Sequence, residues 1–218
     1  MIDSVGLRRK IETLGLAVTE EQLSQLIRYA SLLLKWNKVY NLTRITKEDD
    51  IVNLHLIDSL TLVKAVRDLH LPLKRVLDVG SGGGLPAIPF AVMEPGADIT
   101  MVDAVKKKAL FLTQVCVELG LKNARALHAR IEEVREEPFD AVTSRAFASL
   151  SDMCALTSHL LAPDGLWLAM KGKEPKEEMG ALNPEIGVDR ILRLEVPGVS
   201  VERNLIVLRK RIRGCEEV

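Results

Sequence analysis

The chain has 218 residues, 47% of them hydrophobic and 28% charged, which suits one soluble domain with a sizeable core rather than a disordered chain. Its 30 basic and 30 acidic residues cancel, which argues against coating nucleic acid by bulk charge but allows a local basic face. We expect a cytoplasmic protein, because no apolar run reaches the length of a membrane span, no secretory signal begins the chain, and three scattered cysteines suggest no disulfide framework.

The N-terminal third of the chain is predicted to be helical. Thr19-Glu20-Glu21-Gln22 has the sequence of a capping box, in which two side chains satisfy free backbone N–H groups at a helix start. Apolar residues then recur at helical spacing over residues 23–34 and form a stripe that needs a packing partner. The segment NKVYN, residues 37–41, interrupts this period and is expected to be a loop, with Asn41 as a turn or cap residue. A second helical period covers residues 49–69.

From residue 74 onward, short β-branched segments alternate with helical ones, which predicts a mostly parallel sheet covered by helices on both faces. The predicted strands are RVLDVGS, ADITMVDA, ARALHA, FDAVTSRA and GLWLAMKG, and the helices between them are PAIPFAVME, KKKALFLTQVCVELG and SLSDMCALTSHLLA. The tail differs, because only a short polar gap separates residues 191–196 from residues 204–209. We therefore expect a hairpin at the edge of the sheet, with one antiparallel strand closing the array.

A glycine-rich turn, GSGGGLP, follows the first predicted strand at residues 80–86. Glycine permits positive φ and lets a ligand touch the main chain, and Pro86 fits the first position of the next helix. The turn lacks the Lys-Ser or Lys-Thr of a P-loop, and Leu85 stands where a dinucleotide fingerprint has its third glycine. The pattern DxGxGxG from Asp78 to Gly84 instead resembles that of S-adenosylmethionine-dependent methyltransferases.

A second acidic residue favours a nucleoside ligand. Asp103 ends the second predicted strand, where a carboxylate can bind both hydroxyls of a ribose. Both NAD and S-adenosylmethionine carry a ribose, so an NAD-dependent enzyme and a turn without any ligand stay open at this point.

The residues that the site lacks narrow the chemistry. Methylation of a pyrimidine C5 needs a cysteine nucleophile, yet Cys116 and Cys154 fall in predicted helices and Cys215 in the tail. Exocyclic amine methylation commonly uses an Asn/Asp-Pro-Pro-aromatic loop after the fourth strand, where residues 143–147 of this chain are TSRAF. No metal-ligand spacing appears. What remains is a nucleophile that needs no activation, such as guanine N7, which offers a lone pair and no proton.

Five segments in order carry a resemblance to a known family. They are NLTRI at residues 41–45, HLIDSL at 55–60, DVGSGGGLPAIP at 78–89, SRAFASL at 144–150 and MKGK at 170–173. With them the chain resembles, over nearly its whole length, the RsmG family (glucose-inhibited division protein B), the bacterial small-subunit rRNA guanine-N7 methyltransferases. The resemblance implies a Rossmann-like methyltransferase fold with a mostly parallel seven-stranded sheet, one antiparallel edge strand and an N-terminal helical cap. We expect the cap over residues 1–70 and a compact core over residues 71–218.

The resemblance also assigns roles to single residues. It implies that S-adenosylmethionine is contacted by Gly80, Ser81, Gly82, Leu85, Asp103, Ile131, Glu132 and Arg145. Arg145 would also position the base, and Lys107, Arg130 and Lys171 would contact RNA. The implied substrate is a guanine in the decoding-centre loop of 16S rRNA, free or within the small ribosomal subunit. Nothing in the sequence requires more than a monomer, and no membrane is implied.

Alternatives remain for both the residues and the function. Arg145 could be a buried ion-pair partner of Asp78 or Asp140 and still serve the site. His55 and Asp58 lie three apart on one helix face, which fits a structural pair as well as a substrate contact. Two other functions share these residues: methylation of a small molecule or protein, and a nucleotide-sensing or RNA-binding module without chemistry.

Overall fold

The N-terminal third is helical, as predicted. The structure is a computed structural model that describes residues 2–145 and 147–211, so Cys215 of the predicted tail lies outside the described residues. The helices are α1 (Ser4–Thr13), α2 (Glu20–Tyr40), α3 (Glu48–Ile51) and α4 (Asp58–Asp68), and a π-helical segment (Val52–Ile57) joins the last two.

Helix α2 begins at the predicted capping box and ends later than predicted. The Gln22 backbone N–H donates to Thr19 Oγ1 at 3.2 Å, and the Thr19 N–H donates to Gln22 Oε1 at 3.0 Å. The expectation that NKVYN forms a loop was wrong, because the helix continues to Tyr40. Asn37, which interrupts the apolar period, is buried, and its amide donates to the Ile45 carbonyl at 3.1 Å. The loop starts instead at Asn41, which caps the helix at φ 50°, as its turn or cap role required.

The core is a seven-stranded sheet in the order β3-β2-β1-β4-β5-β7-β6. Its strands are β1 (Arg75–Val79), β2 (Asp98–Asp103), β3 (Ala124–His128), β4 (Phe139–Arg145), β5 (Leu161–Lys171), β6 (Ile186–Arg193) and β7 (Asn204–Lys210). The connecting helices are α5 (Ala87–Met93), α6 (Lys106–Leu119), α7 (Leu150–Thr157) and α8 (Lys176–Gly180), with a 3-10 turn (Ile131–Glu133) after β3. Only β7 runs antiparallel among these strands, within the β6–β7 hairpin at the sheet edge.

Element boundaries differ from the predictions at several points, and helix α7, for example, ends at Thr157 rather than at residue 162. Strand β5 starts at Leu161 rather than at residue 165, and β6 starts at Ile186 rather than at residue 191. Helix α5 starts at Ala87, so Pro86 is its N-cap rather than its first residue. These boundary shifts leave the order of elements unchanged.

The two faces of the sheet are covered by different helices. One hydrophobic cluster joins α1 to α6 with one side of the sheet, and Leu26, Leu33 and Leu60 of the N-terminal helices are fully buried in it. A smaller cluster on the other side contains Met153 and Cys154 of α7 and Trp167 of β5. The division at residue 70 stays a prediction. Over the described part of the chain, no helix has the length and apolar character needed to cross a membrane.

Candidate active site

The glycine turn lies at the carboxyl edge of the sheet, between β1 and α5, and uses backbone conformations that suit glycine. Gly80 has φ 67°, and a Cβ there would collide with the Phe147 ring. Gly84 has φ 88°, and its Cβ would lie 2.6 Å from Ile88 Cγ1. A side chain at either position would therefore displace the packing that shapes the turn. The predicted contact residues Ser81 and Leu85 are buried within it.

Asp103 lies where the sequence placed it, at the end of β2 beside the glycine turn. Its Oδ2 accepts from the Gly82 N–H at 2.9 Å and its Oδ1 accepts from the Val105 N–H at 2.8 Å. A carboxylate offers about four acceptor positions, so two remain for the hydroxyls of a ribose. Lys108 Nζ lies 3.9 Å from Oδ2 and supplies a positive charge nearby.

Asp78 is a buried carboxyl group without a hydrogen-bond partner among the described residues. The Ser81 hydroxyl donates to the Asp78 main-chain carbonyl at 2.9 Å, which leaves both carboxyl oxygens unsatisfied. Burial raises the pKa of Asp78 from 3.8 to about 8, against the lowering influence of the neighbouring Ser81 hydroxyl and, to a smaller extent, of the Arg145 charge. A cationic group of a ligand bound at the glycine turn could donate the hydrogen bonds that these buried oxygens lack.

Arg145 ends β4 and forms an ion pair, but not with either acid considered from the sequence. Its Nη1 lies 2.9 Å from Oδ2 of Asp58, a buried residue at the start of α4. Asp140 instead accepts from the Lys74 and Arg75 N–H groups at the opposite end of β4. The ion-pair alternative was therefore right about the kind of contact and wrong about the partner.

Asp58 binds a second arginine, which sequence reasoning did not find. Its Oδ1 lies 2.7 Å from Nε of Arg203, just before β7. One carboxylate thus bridges two guanidinium groups, and we call Arg145, Asp58 and Arg203 the arginine cluster. The only sequence signal for Arg203 was its place in a basic tail, because the pair joins residues 145 positions apart.

The π-helical segment shapes the other contacts of Arg145. Nη1 of Arg145 donates to the Leu54 carbonyl at 3.1 Å, and Nη2 lies 3.2 Å from His55 Nδ1. The other ring nitrogen of His55 lies 2.7 Å from Thr43 Oγ1. Burial, reinforced by the Arg145 charge, lowers the pKa of His55 to about 4, so the ring is neutral at neutral pH. Short π-helical insertions are frequent at functional sites because they redirect backbone groups. The side chains of His55 and Asp58 both contact Arg145.

Lys171, predicted to contact RNA, is engaged inside the protein. Its ammonium donates to the Ala148 carbonyl at 3.0 Å and to Glu178 Oε2 at 2.8 Å. The same Glu178 oxygen accepts from the Leu150 N–H at 2.7 Å, so Lys171 and Glu178 tie the segment after β4 to α8. The other two predicted RNA contacts, Lys107 and Arg130, are exposed.

The remaining predicted cofactor contacts lie in the 3-10 turn after β3. Ile131 is buried and Glu132 is exposed. The turn follows a strand that neighbours β2, so both residues belong to the same edge of the sheet as Asp103. Their contacts with the cofactor remain predictions.

A residue of the N-terminal helices, Tyr29 of α2, also reaches the glycine turn. Its hydroxyl donates to the Gly83 carbonyl at 2.6 Å, and the whole side chain is buried. Burial raises the pKa of Tyr29, so the hydroxyl stays protonated and acts as a donor. Its place in the apolar stripe predicted a core residue, and nothing in the sequence indicated the hydrogen bond.

This strand order, with a glycine turn after β1 and an acid ending β2, is that of the S-adenosylmethionine-dependent methyltransferase fold. A crystal structure of magnesium protoporphyrin IX methyltransferase from Synechocystis PCC 6803 with bound S-adenosylmethionine has a TM-score of 0.56 to this chain. It matches 89% of this chain and 100% of that one at 18% identity. TrmN from Thermus thermophilus has a TM-score of 0.54 at 20% identity, over 73% of this chain and 53% of that one. These similarities show the fold.

Sequence relatives narrow the class to one family. The family model GidB, rRNA small subunit methyltransferase G, matches residues 22–207. A protein of Neisseria meningitidis serogroup B (strain ATCC BAA-335 / MC58), "Ribosomal RNA small subunit methyltransferase G", is 46% identical over 205 residues, covering 94% of this chain and 97% of its own. A protein of the same name in Acidovorax sp. (strain JS42) is 44% identical, covering 94% of both chains. The chain belongs to the GidB family of rRNA small subunit methyltransferases and uses S-adenosylmethionine, which excludes the NAD-dependent and non-enzymatic alternatives.

Proposed function

We propose that this methyltransferase transfers a methyl group to N7 of a guanine in the decoding-centre loop of 16S rRNA. The observation that carries the proposal is the arginine cluster. It presents a fixed cation, Arg145, at the end of β4 and no free general base. We call the part of the site around this cluster the acceptor side, and the part around the glycine turn, Asp78 and Asp103 the cofactor side. The guanine and its place in the rRNA follow from the family resemblance, and the geometry supplies the chemical argument.

The residues around the glycine turn fit S-adenosylmethionine. Asp103 retains acceptor capacity for the ribose hydroxyls, and the unsatisfied Asp78 carboxylate suits the α-ammonium group of the methionine portion. Gly80, Ser81, Gly82 and Leu85 would line the ligand along the main chain, and Ile131 and Glu132 would flank the adenine. When bound, the cofactor supplies a methyl group on a cationic sulfur, which a lone pair can displace directly.

The acceptor side suits a nucleophile that carries no proton. Cys116 and Cys154 are buried in helices, and burial raises their pKa values to about 11 and about 12, so neither is a reactive thiolate. Both ring nitrogens of His55 already have hydrogen-bond contacts. Guanine N7 needs no base, so Arg145 only has to align the base, for which the fork of its guanidinium is suited.

Contacts to RNA are proposed for two exposed cations and, indirectly, for a third. Lys107 and Arg130 lie on α6 and next to the 3-10 turn, both at the carboxyl edge of the sheet, where phosphates would approach. Lys171 would act by holding the segment after β4 in place rather than by a free ammonium. We propose that a monomer carries out the reaction.

Transfer of label from isotope-labelled S-adenosylmethionine tests the proposal. Unmodified 16S rRNA transcribed in vitro, purified small subunits lacking the modification, and bulk protein are each offered as acceptor. We expect label in rRNA or subunits, recovered as 7-methylguanosine after digestion to nucleosides. Label in bulk protein would favour the other substrate class, and label in RNA at another atom would contradict the N7 chemistry.

A further inference from the structure

A surface beside the acceptor side concentrates positive charge. Residues 22–47 contain five basic and no acidic residues, although the whole chain is neutral. Residues 104–117 likewise contain Lys106, Lys107 and Lys108 and no acid. The end of α2 and the start of α6 carry these segments, and the two helices pack together. We call Lys35, Lys38, Arg44, Lys106 and Lys107, with Tyr40 between them, the basic strip.

The cations of the basic strip are exposed and have no acidic partner among the described residues. Several other cations are paired in the structure: Arg28 with Glu118, Lys108 with Asp103, and Arg67 with Glu94. Exposed cations grouped without counter-charges raise the local potential and attract an anionic partner. The overall neutrality of the chain makes this local excess informative, since it cannot reflect composition alone.

An aromatic ring lies within the strip. Tyr40 is half-buried and stacks on Trp36, with ring centroids 5.2 Å apart. The centroid of the Trp36 ring lies in turn 5.8 Å from that of Phe111 in α6. Lys107 Nζ lies 6.0 Å from the centroid of the Tyr40 ring. The ring is therefore held between α2 and α6 beside a cation. Cations with an intervening aromatic ring are the usual means of binding single-stranded nucleic acid, through phosphates and through base stacking.

The strip is connected to the arginine cluster by a short chain of hydrogen bonds. Asn37, on the same last turns of α2, accepts from the Thr43 N–H at 2.8 Å. Thr43 contacts His55, and His55 contacts Arg145. RNA bound along the strip would therefore pass close to the acceptor side.

We propose that the basic strip binds the single-stranded rRNA that flanks the target base, with the cations on phosphates and Tyr40 against an unstacked base. The inference rests on the proposed function for the identity of the RNA. An acidic protein surface would also be attracted by the charge, but it would give Tyr40 no base to stack on.

A matched pair of double variants tests the strip. Lys38→Ala/Arg44→Ala removes two of its charges. Lys74→Ala/Lys122→Ala removes two exposed charges just before β1 and β3, at the opposite edge of the sheet. Binding to an unmodified 16S rRNA transcript is measured by filter binding over a series of salt concentrations. We expect the strip double to bind roughly tenfold more weakly and to lower the salt slope by about 1.5, since two phosphate contacts are lost.

The control double should bind within about twofold of the wild type, since it leaves the contacts with the phosphate backbone intact. The proposal would be overturned if the Lys38→Ala/Arg44→Ala variant bound the transcript like the wild type. It would also be overturned if both double variants lost affinity to the same extent. A loss seen with assembled subunits but not with the transcript would identify a protein partner and overturn it as well. Cofactor affinity, measured by calorimetry, should be unchanged in both doubles.

The aromatic contribution is tested at Tyr40. Tyr40→Phe keeps the ring and should bind the transcript like the wild type, whereas Tyr40→Leu should bind about fivefold more weakly or worse, with an unchanged salt slope. Equal affinities for the Leu and Phe variants would contradict base stacking. If wild-type enzyme transfers no label to any RNA, the proposed function fails, while these binding measurements still decide on the strip.

Discussion

The two sides of the active site differ in how completely their polar groups are satisfied. On the cofactor side, the buried Asp78 carboxyl has no partner among the described residues. On the acceptor side, Asp58 is equally buried but binds Arg145 and Arg203 at 2.9 and 2.7 Å. The cofactor side therefore becomes satisfied only when its ligand binds, whereas the acceptor side is organised before any substrate arrives.

This difference gives the same chemical change opposite consequences. Replacing the carboxyl by an amide at Asp78 removes the cost of keeping a buried acid protonated at neutral pH, whereas the same change at Asp58 removes the counter-charge that two arginines share. The amide should therefore stabilise the protein at position 78 and destabilise it at position 58. The loss of function should be in cofactor binding at position 78 and in methyl transfer at position 58.

The largest effect is expected from Arg145→Ala. We expect methyl transfer to fall on the order of a hundredfold or more, because the base loses its alignment. Arg145→Lys is the matched variant: it keeps a positive charge near Asp58 and should recover stability without recovering transfer, since the fork geometry is lost. Single-turnover transfer and thermal midpoints separate the two. If Lys restores transfer fully, the cluster acts through charge alone.

The next effect is expected from Asp78→Asn. Cofactor affinity should fall about ten- to a hundredfold, because the charge-assisted contact to the ammonium becomes a neutral one. Calorimetric titration measures this directly. Asp140→Asn, at the other end of the sheet, is the matched control and should bind cofactor like the wild type. An Asp78→Asn variant with full cofactor affinity would remove the ammonium contact from the proposal.

The raised pKa of Asp78 also predicts how stability depends on pH. The folded state keeps its proton up to about pH 8, whereas the unfolded chain loses it near 3.8. The free energy of unfolding without cofactor should therefore decrease as pH rises through that window and level off above 8. Denaturant unfolding at pH 6 and pH 9 should show the decrease in the wild type and little of it in Asp78→Asn. A ligand cation favours the ionised form, so cofactor affinity should rise between pH 6 and pH 8.

Asp58→Asn should have a smaller effect on function and a larger cost in stability. We expect a loss of about 3 kcal/mol in the free energy of unfolding, since two guanidinium groups lose their shared counter-charge. Transfer should fall roughly tenfold, with cofactor affinity unchanged. Arg203→Ala completes a double-mutant cycle, and if Arg203 acts through Asp58 the double variant should be no worse in transfer than the worse single variant. Additive losses would show that Arg203 contacts the substrate independently.

The cofactor side could be predicted from the sequence far better than the acceptor side. The glycine turn, Asp78 and Asp103 lie next to strand ends, so local patterns of β-branched residues and glycine fix their relative positions. The arginine cluster joins α4, β4 and the start of β7, and no local pattern encodes such a meeting. The mostly parallel sheet followed from the alternation of strands and helices, and the number of strands from the family resemblance.

Two differences between expectation and structure share a physical cause. The polar residue Asn37 interrupts an apolar period, which predicted the end of the helix. In the structure its side-chain amide stays within the helix span and forms hydrogen bonds with the Ile45 carbonyl and the Thr43 N–H of the following loop. Lys171, which is predicted to contact RNA from a strand end, donates hydrogen bonds from its ammonium to Glu178 and to the Ala148 carbonyl. In each case a tertiary partner, invisible in the sequence, determined the role of a polar side chain.

The smallest expected effect tests whether the two sides are linked through the N-terminal helices. Tyr29→Phe leaves the buried Gly83 carbonyl without its donor, which costs about 1 kcal/mol and should weaken cofactor affinity about fivefold. Tyr40→Phe removes a hydroxyl from the same helix away from the turn and should leave cofactor affinity unchanged. A Tyr29→Phe variant that loses stability but binds cofactor normally would mean that the glycine turn keeps its shape without α2. A loss of cofactor affinity larger than the loss of stability would instead make the N-terminal helices part of the cofactor site. Cofactor binding would then be coupled to the same helices that position the acceptor side.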